Sequence, residues 1–215
     1  MTIDPIPDEP VLRGRPRSVQ THDAILDAAR KVLLGEGEAR FSIERVAAAA
    51  GVSKASIYRR WPTKGALLVE LYMAGLDRVI VENARSLRVE LKRYLRATVR
   101  RLQDPLWRSI LRSLAAEGQY DATTAKLLRE QVVVPRRASG LALLRHAEAL
   151  GEIPAGLDHE IVLDVLFGPV WYRLLFEHAP LDEAFADRLL KQVDGMLFPK
   201  DFAKAKVATR APKTR

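Results

Sequence analysis

Apolar residues recur along the chain at helical spacing, and no stretch shows the strict alternation of a half-buried strand. Ile25, Ala28, Ala29, Val32 and Leu33 fall at i, i+3, i+4, i+7 and i+8. That pattern predicts a helix from about Ser18 to Gly35 with one buried stripe, ended by Gly35 and Gly37. Ser42 suits the cap of a short second helix with apolar positions Ile43, Val46, Ala47 and Ala50, and Gly51 stops it. Ser53 caps a third helix reaching about Arg60. Pro62 breaks the chain, and Thr63 caps a fourth helix that starts at Lys64 and runs to about residue 83.

Longer helices follow. Residues 86–103 carry Leu87, Leu91, Leu95, Val99 and Leu102 with arginines between them. Asp104-Pro105 reads as a cap followed by a first-turn proline, opening a helix with Trp107, Ile110, Leu111 and Leu114. Asp121 starts a helix to about Leu150, which Pro135 is expected to kink or divide. After a turn at 151–156, Asp158 caps a helix to about His178 that is apolar on most of its circumference, with Gly168-Pro169 expected to bend it. Pro180 breaks it. Asp182 then caps the last helix, whose apolar face holds Phe185, Leu189, Val193, Met196 and Leu197. The expected fold is all-α, with about nine helices: a three-helix unit near the N-terminus followed by a larger helical body.

Composition narrows the classes. The 215 residues are 48% hydrophobic and 29% charged, which is a globular balance. A net charge of +8 favours polyanions, though an ordinary basic protein has the same charge. The absence of cysteine removes disulfides, thiol catalysis and Cys-ligated zinc. The acidic, Pro-rich start has no apolar signal-peptide core. The longest apolar run, 161–176, is interrupted by Asp164, Gly168, Pro169 and Arg173, short of the roughly 18 residues a membrane span needs. A soluble cytoplasmic protein without membrane partners is expected. The four histidines are scattered. His159-Glu160 begins like a zinc-protease motif, but Leu163 stands where the second histidine is required. No Gly-rich phosphate loop, nucleophile elbow or carboxylate pair is present. No enzyme, metal site or cofactor is expected.

Residues 42–61 meet the demands of a helix-turn-helix. Ala47 is small where the two helices touch, Gly51 tolerates the positive φ of the turn, and Ile57 faces back as an apolar anchor. Lys54, Ala55, Ser56, Arg59 and Arg60 are then left on the outside of the third helix. Lys and Arg reach guanine edges in the major groove, and an Ala methyl packs on a thymine methyl. Tyr58 and Lys64 suit phosphates, as do the helix starts near Ser42 and Thr63, and Ser53 is a further candidate at the DNA. The competing reading is a solvated basic helix.

The stretch Ser42-Ile43…Val46-Ala47…Ala50-Gly51-Val52-Ser53-Lys54-Ala55-Ser56-Ile57-Tyr58-Arg59-Arg60-Trp61-Pro62-Thr63-Lys64-Gly65-Ala66-Leu67, with Ile25-Leu26-Asp27-Ala28-Ala29 before it, resembles the DNA-binding domain of the tetracycline-repressor (TetR) family. The likeness is specific over about residues 18–70. This chain departs from the family at Ala55-Ser56 (often Gly-Thr), Arg60-Trp61 (often His-Phe) and Gly65 (often Glu or Asp). The resemblance implies a homodimer on a palindromic double-stranded operator, an effector pocket in the helical body, and repression relieved by a small hydrophobic ligand. The implied organisation is an N-terminal arm over 1–17, a DNA-binding domain over 18–78, an effector-binding and dimerisation domain over 79–198, and a basic tail over 199–215.

Three further expectations concern the arm and the body. Arg13, Arg15 and Arg17, spaced by Gly14 and Pro16, suit insertion into a narrow minor groove, or else form a basic linker. Val162, Leu166, Val170, Leu174, Phe185, Leu189 and Val193 on the last two helices are candidates for a four-helix dimer interface, with burial inside one protomer as the alternative. Trp107, Ile110, Leu111, Leu114, Phe167 and Trp171, with the chain near Pro135, are candidates to surround an apolar cavity; Arg173, Glu117 or Tyr120 are candidates to orient its ligand. A DNA-coating architectural protein without an effector is the remaining alternative.

Overall fold

A computed structural model describes residues 17–75 and 86–199. Its helices are α1 (Arg17–Glu36), α2 (Ile43–Ala50), α3 (Lys54–Tyr58), α4 (Lys64–Ala74), α5 (Leu87–Gln103), α6 (Pro105–Glu117), α7 (Ala122–Leu127), α8 (Val134–Ala149), α9 (His159–Phe176) and α10 (Glu183–Leu197). A π-helical stretch, Leu128–Val133, joins α7 to α8 without a break, so these form one rod. No strand occurs among the described residues, and none of their helices is long and apolar enough to cross a membrane.

Local chemistry sets the helix starts. Ser42, Ser53, Thr63, Asp104, Asp121, Asp158 and Asp182 each accept a hydrogen bond from a first-turn backbone N–H, which satisfies donors the helix itself cannot. Helix α3 is shorter than the sequence suggested, because Arg59 and Arg60 already lie in the turn that follows it. Helix α4 ends at Ala74, with Gly75 in the turn after it, short of the end expected near residue 83; the domain boundary near 78 falls outside the described residues. Pro135 does not divide the long helix; it sits in the first turn of α8, just after the π-helical stretch. The wider turn there accommodates a residue that has no N–H and whose ring crowds the preceding carbonyl. Helix α9 is likewise continuous through Pro169.

Helices α1–α3 form a small head whose core joins that of the body through α4 and α6. A second core lies at the far end, among α5, α8, α9 and α10. Arginines on α5 dock α10 electrostatically: Arg96 Nε donates to Asp187 Oδ1 at 2.8 Å, Arg100 Nε to Glu183 Oε1 at 2.9 Å, and Arg88 Nη1 to Asp194 Oδ2 at 2.8 Å.

The residues expected at a dimer interface occupy other positions. Val162, Leu166, Val170, Leu174, Phe185 and Val193 are buried in the protomer's own core, and Leu189 is half-buried against it. The reason is that α9 is covered on that side by α6, α8 and α10. The apolar residues left in solvent on α9 are Ile161, Val165, Tyr172, Leu175 and Phe176.

Candidate nucleic-acid interface and body cavity

The head is built around the turn between α2 and α3. Gly51 adopts φ 65°, ψ 33°, and its N–H and that of Val52 return to the last carbonyls of α2. A side chain at Gly51 would be strained in this left-handed conformation. Ile57 and Val46 are fully buried, with Ala47 between them and Ile25, Ala29 and Leu33 of α1 behind. Trp61 is a second anchor. It is buried, its ring stacks on His22 with centroids 5.2 Å apart, and its Nε1 donates to Glu70 Oε2 at 2.5 Å. Glu70 Oε1 also lies 2.9 Å from His22 Nε2, so one carboxylate of α4 ties α1 to the segment that follows α3.

Lys54, Ala55, Tyr58 and Arg59 share the solvent side of α3. The Arg59 side chain has no hydrogen-bond or ionic partner among the described residues. Lys54 Nζ lies 3.2 Å from Glu44 Oε1 on α2. Glu44's own backbone N–H in the first turn of α2, and then Lys54, hold that carboxyl below the usual range. The other candidates are engaged within the chain. Ser56 Oγ lies 3.0 Å from the capping hydroxyl of Ser53, and Arg60 Nη1 donates to the Ser56 carbonyl at 3.3 Å. Ser42 and Thr63 cap their helices, and Lys64 pairs with Glu117 of α6. Arg13 and Arg15 lie outside the described residues, and Arg17 is the first residue of α1.

The body holds a cavity of about 240 Å³ bounded by α5, α6, the π-helical stretch with the start of α8, and α9. Leu111, Phe167 and Trp171 line it as the sequence suggested, and the π-helical stretch contributes Val132 and Val133. Trp107, Ile110 and Leu114 do not line it. Trp107 packs edge-on against Tyr72 at 5.4 Å with the Arg101 guanidinium 4.3 Å over its ring, while Ile110 and Leu114 are fully buried in the core shared with the head. The polar groups proposed to orient a ligand are also elsewhere. Arg173 donates to the Pro180 carbonyl and lies over the Phe185 ring, Glu117 pairs with Lys64, and Tyr120 is fully in solvent. The polar wall is instead Thr98, Arg136, Arg137 and Asp164. The only sequence signal for it was the arginine pair directly after Pro135. No cluster of metal-ligating side chains occurs among the described residues.

Comparisons with known proteins agree on this architecture. Residues 25–71 match the family model described as bacterial regulatory proteins, tetR family, and residues 81–193 match that for the tetracyclin repressor-like C-terminal domain. The HTH-type transcriptional regulator YdeS of Bacillus subtilis is 31% identical over 83% of this chain and 90% of its own. The DNA-binding transcriptional repressor TetR of Mycobacteroides abscessus is 31% identical over 85% of this chain and 94% of its own. The crystal structure of the TetR family transcription regulator SCO0332 superposes with a TM-score of 0.64 at 35% identity, covering 84% of this chain and all of that one. The chain belongs to the TetR family. It is a helix-turn-helix, DNA-binding transcriptional regulator and not an enzyme.

Proposed function

We propose that the protein is a homodimeric repressor that holds a palindromic operator through α3 and releases it when a small, largely apolar molecule enters the body cavity. In this reading the head spans residues 18–78, the body 79–198, and the protein works in the cytoplasm, where its operator is. The observation that carries the DNA reading is the outer face of α3: Lys54, Ala55, Tyr58 and Arg59 stand together in solvent on a helix pinned from behind by Ile57 and Trp61. A helix held that firmly can present side chains to base edges, while the capped starts of α2 and α4 meet phosphates. Arg59 is the strongest base reader, since nothing described in the chain competes for its guanidinium.

Dimerisation is supported by the exposed apolar stripe of α9. Ile161, Val165, Gly168, Tyr172 and Leu175 recur every three or four residues, the spacing of a helix-pairing seam. Pairing there, with the exposed side of α10 beside it, supplies the two-fold axis that a palindrome requires. The effector reading rests on the cavity.

The test is binding to operator-containing DNA across a salt series. A specific repressor prefers its site over random DNA by roughly 10³-fold or more and loses affinity steeply with salt. Arg59→Ala should cost about 1–3 kcal/mol and relax one base step. Uniform binding to all DNA would favour an architectural protein instead.

A further inference from the structure

The two arginines of the cavity wall differ in what holds them. Arg137 is neutralised: its guanidinium pairs with Glu160 and reaches Asp164 Oδ1 at 2.5 Å. Arg136 faces neutral groups. Its Nη1 donates to the Tyr72 hydroxyl at 2.9 Å and its Nη2 to Thr98 Oγ1 at 2.9 Å, while its backbone carbonyl accepts from the Tyr94 hydroxyl at 3.2 Å. Buried Glu90 makes no bond to it and sits two turns of α5 away from Thr98, about 12 Å along the axis. A guanidinium keeps its charge under all ordinary conditions. Here it stands at the edge of a hollow whose other polar lining is Thr98 and the mutually paired Arg137 and Asp164, and whose apolar wall includes Phe167, Trp171, Leu111 and Val132. A cation in such surroundings is poorly solvated and gains most from an anion with acceptor atoms in its own plane.

We propose that the cavity selects a carboxylate-headed amphipathic molecule, with Arg136 holding the carboxylate and the aromatic wall holding the apolar body. This rests on the effector reading above and gives its largely apolar ligand an anionic head. The same guanidinium holds Tyr72 of α4, the helix that enters the body directly after the Trp61 anchor. A carboxylate that takes Nη1 therefore competes with the Tyr72 hydroxyl, which links occupancy of the cavity to the seating of α4.

Calorimetric titration of the full chain with saturated C8, C10 and C12 carboxylates, and with the chain-matched alcohols, tests this. The carboxylates should bind at least about tenfold more tightly than the alcohols, the gain of a charge-assisted bidentate contact. Arg136→Gln should erase that difference while leaving alcohol binding within a few-fold, and Arg136→Lys should keep part of it. Equal binding of acid and alcohol by the unaltered protein overturns the proposal, as does failure of every probe to bind, so the test holds even where the variant does not fold. An Arg136→Gln protein that folds and keeps the preference also overturns it. Operator release by alcohols as readily as by acids removes the anion but leaves the effector reading standing. A carboxylate preference without any change in operator affinity supports the site and removes the effector reading.

Discussion

Gly65 packs so closely on Thr124 that a methyl group at its Cα would sit 2.0 Å from the threonine hydroxyl oxygen and 2.3 Å from its methyl. Thr124 cannot step aside: it is fully buried, and its hydroxyl donates to Asp121 Oδ2 at 2.5 Å. Gly65 directly follows Thr63, whose Oγ1 lies 3.4 Å from the Thr124 hydroxyl, and Lys64, which pairs with Glu117. Three consecutive residues at the start of α4 thus seat the head on the body. The structure gives this departure from the family's usual acidic residue a steric reason. Gly65→Ala should destabilise the protein by about 1–3 kcal/mol through overpacking. Adding Thr124→Ala, which removes the two nearest atoms, should recover part of that loss in thermal melts.

Glu44 places a negative charge 3.2 Å from Lys54 on the surface expected to meet phosphates. Glu44→Gln should raise affinity for all DNA sequences alike, by about two- to tenfold at low salt, with the gain shrinking as salt screens it. A gain confined to one sequence would show that Glu44 takes part in base reading.

In the proposed dimer, the two faces of α9 would separate folding from pairing. Val165→Asp, on the exposed face, should leave the protomer folded and yield monomers in light scattering. Leu166→Ala, one residue on, should destabilise the protomer by about 2–5 kcal/mol, the cost of emptying a packed core site. Dimers that persist in the Val165→Asp protein would place the interface elsewhere.

Acid should loosen the body at α10 and at the end of α9. The Arg96 hydrogen bonds hold the Asp187 carboxyl below the usual aspartate range, and Arg112 does the same for Glu177. A carboxylate whose folded pKa is depressed stabilises the fold above its unfolded pKa, about 4, and loses that contribution as pH falls through the lower folded value. The melting temperature should therefore decline below about pH 4. Asp187→Asn should melt lower than the unaltered protein at neutral pH and decline less on acidification, so that the two curves converge.

Most helix starts were legible because capping is local chemistry, written in single residues such as Ser42, Thr63 and Asp158. The helix-turn-helix was legible for the same reason: Ala47, Gly51 and Ile57 meet separate physical demands within a short span. The register of α9 was not, because a helix apolar all round carries no phase in its own sequence. Which stripe is core depends on α6, α8 and α10, and these cover Leu166 rather than Val165. The cavity was half-legible. Leu111 and Trp171 read as lining from their apolarity, but Trp107 had an equally good partner in Tyr72. Arg136 was missed because a charged residue on a helix reads as solvent-facing until its neighbours in space are known.

The widened turn at Leu128–Val133 makes the length of this rod as consequential as its composition. A π turn holds one more residue than the α turn it replaces. Relaxing the segment to a regular α-helix without removing a residue would rotate everything beyond it by about 100°, whereas losing one residue would absorb that rotation. At constant length, Arg136 would swing away from Tyr72 and Thr98, and α8 would present a different side to α9, with no substitution anywhere in the wall. Among relatives of this protein, a one-residue gap at this place is expected to go with a regular α-helix and an unchanged placement of the arginine on the cavity wall.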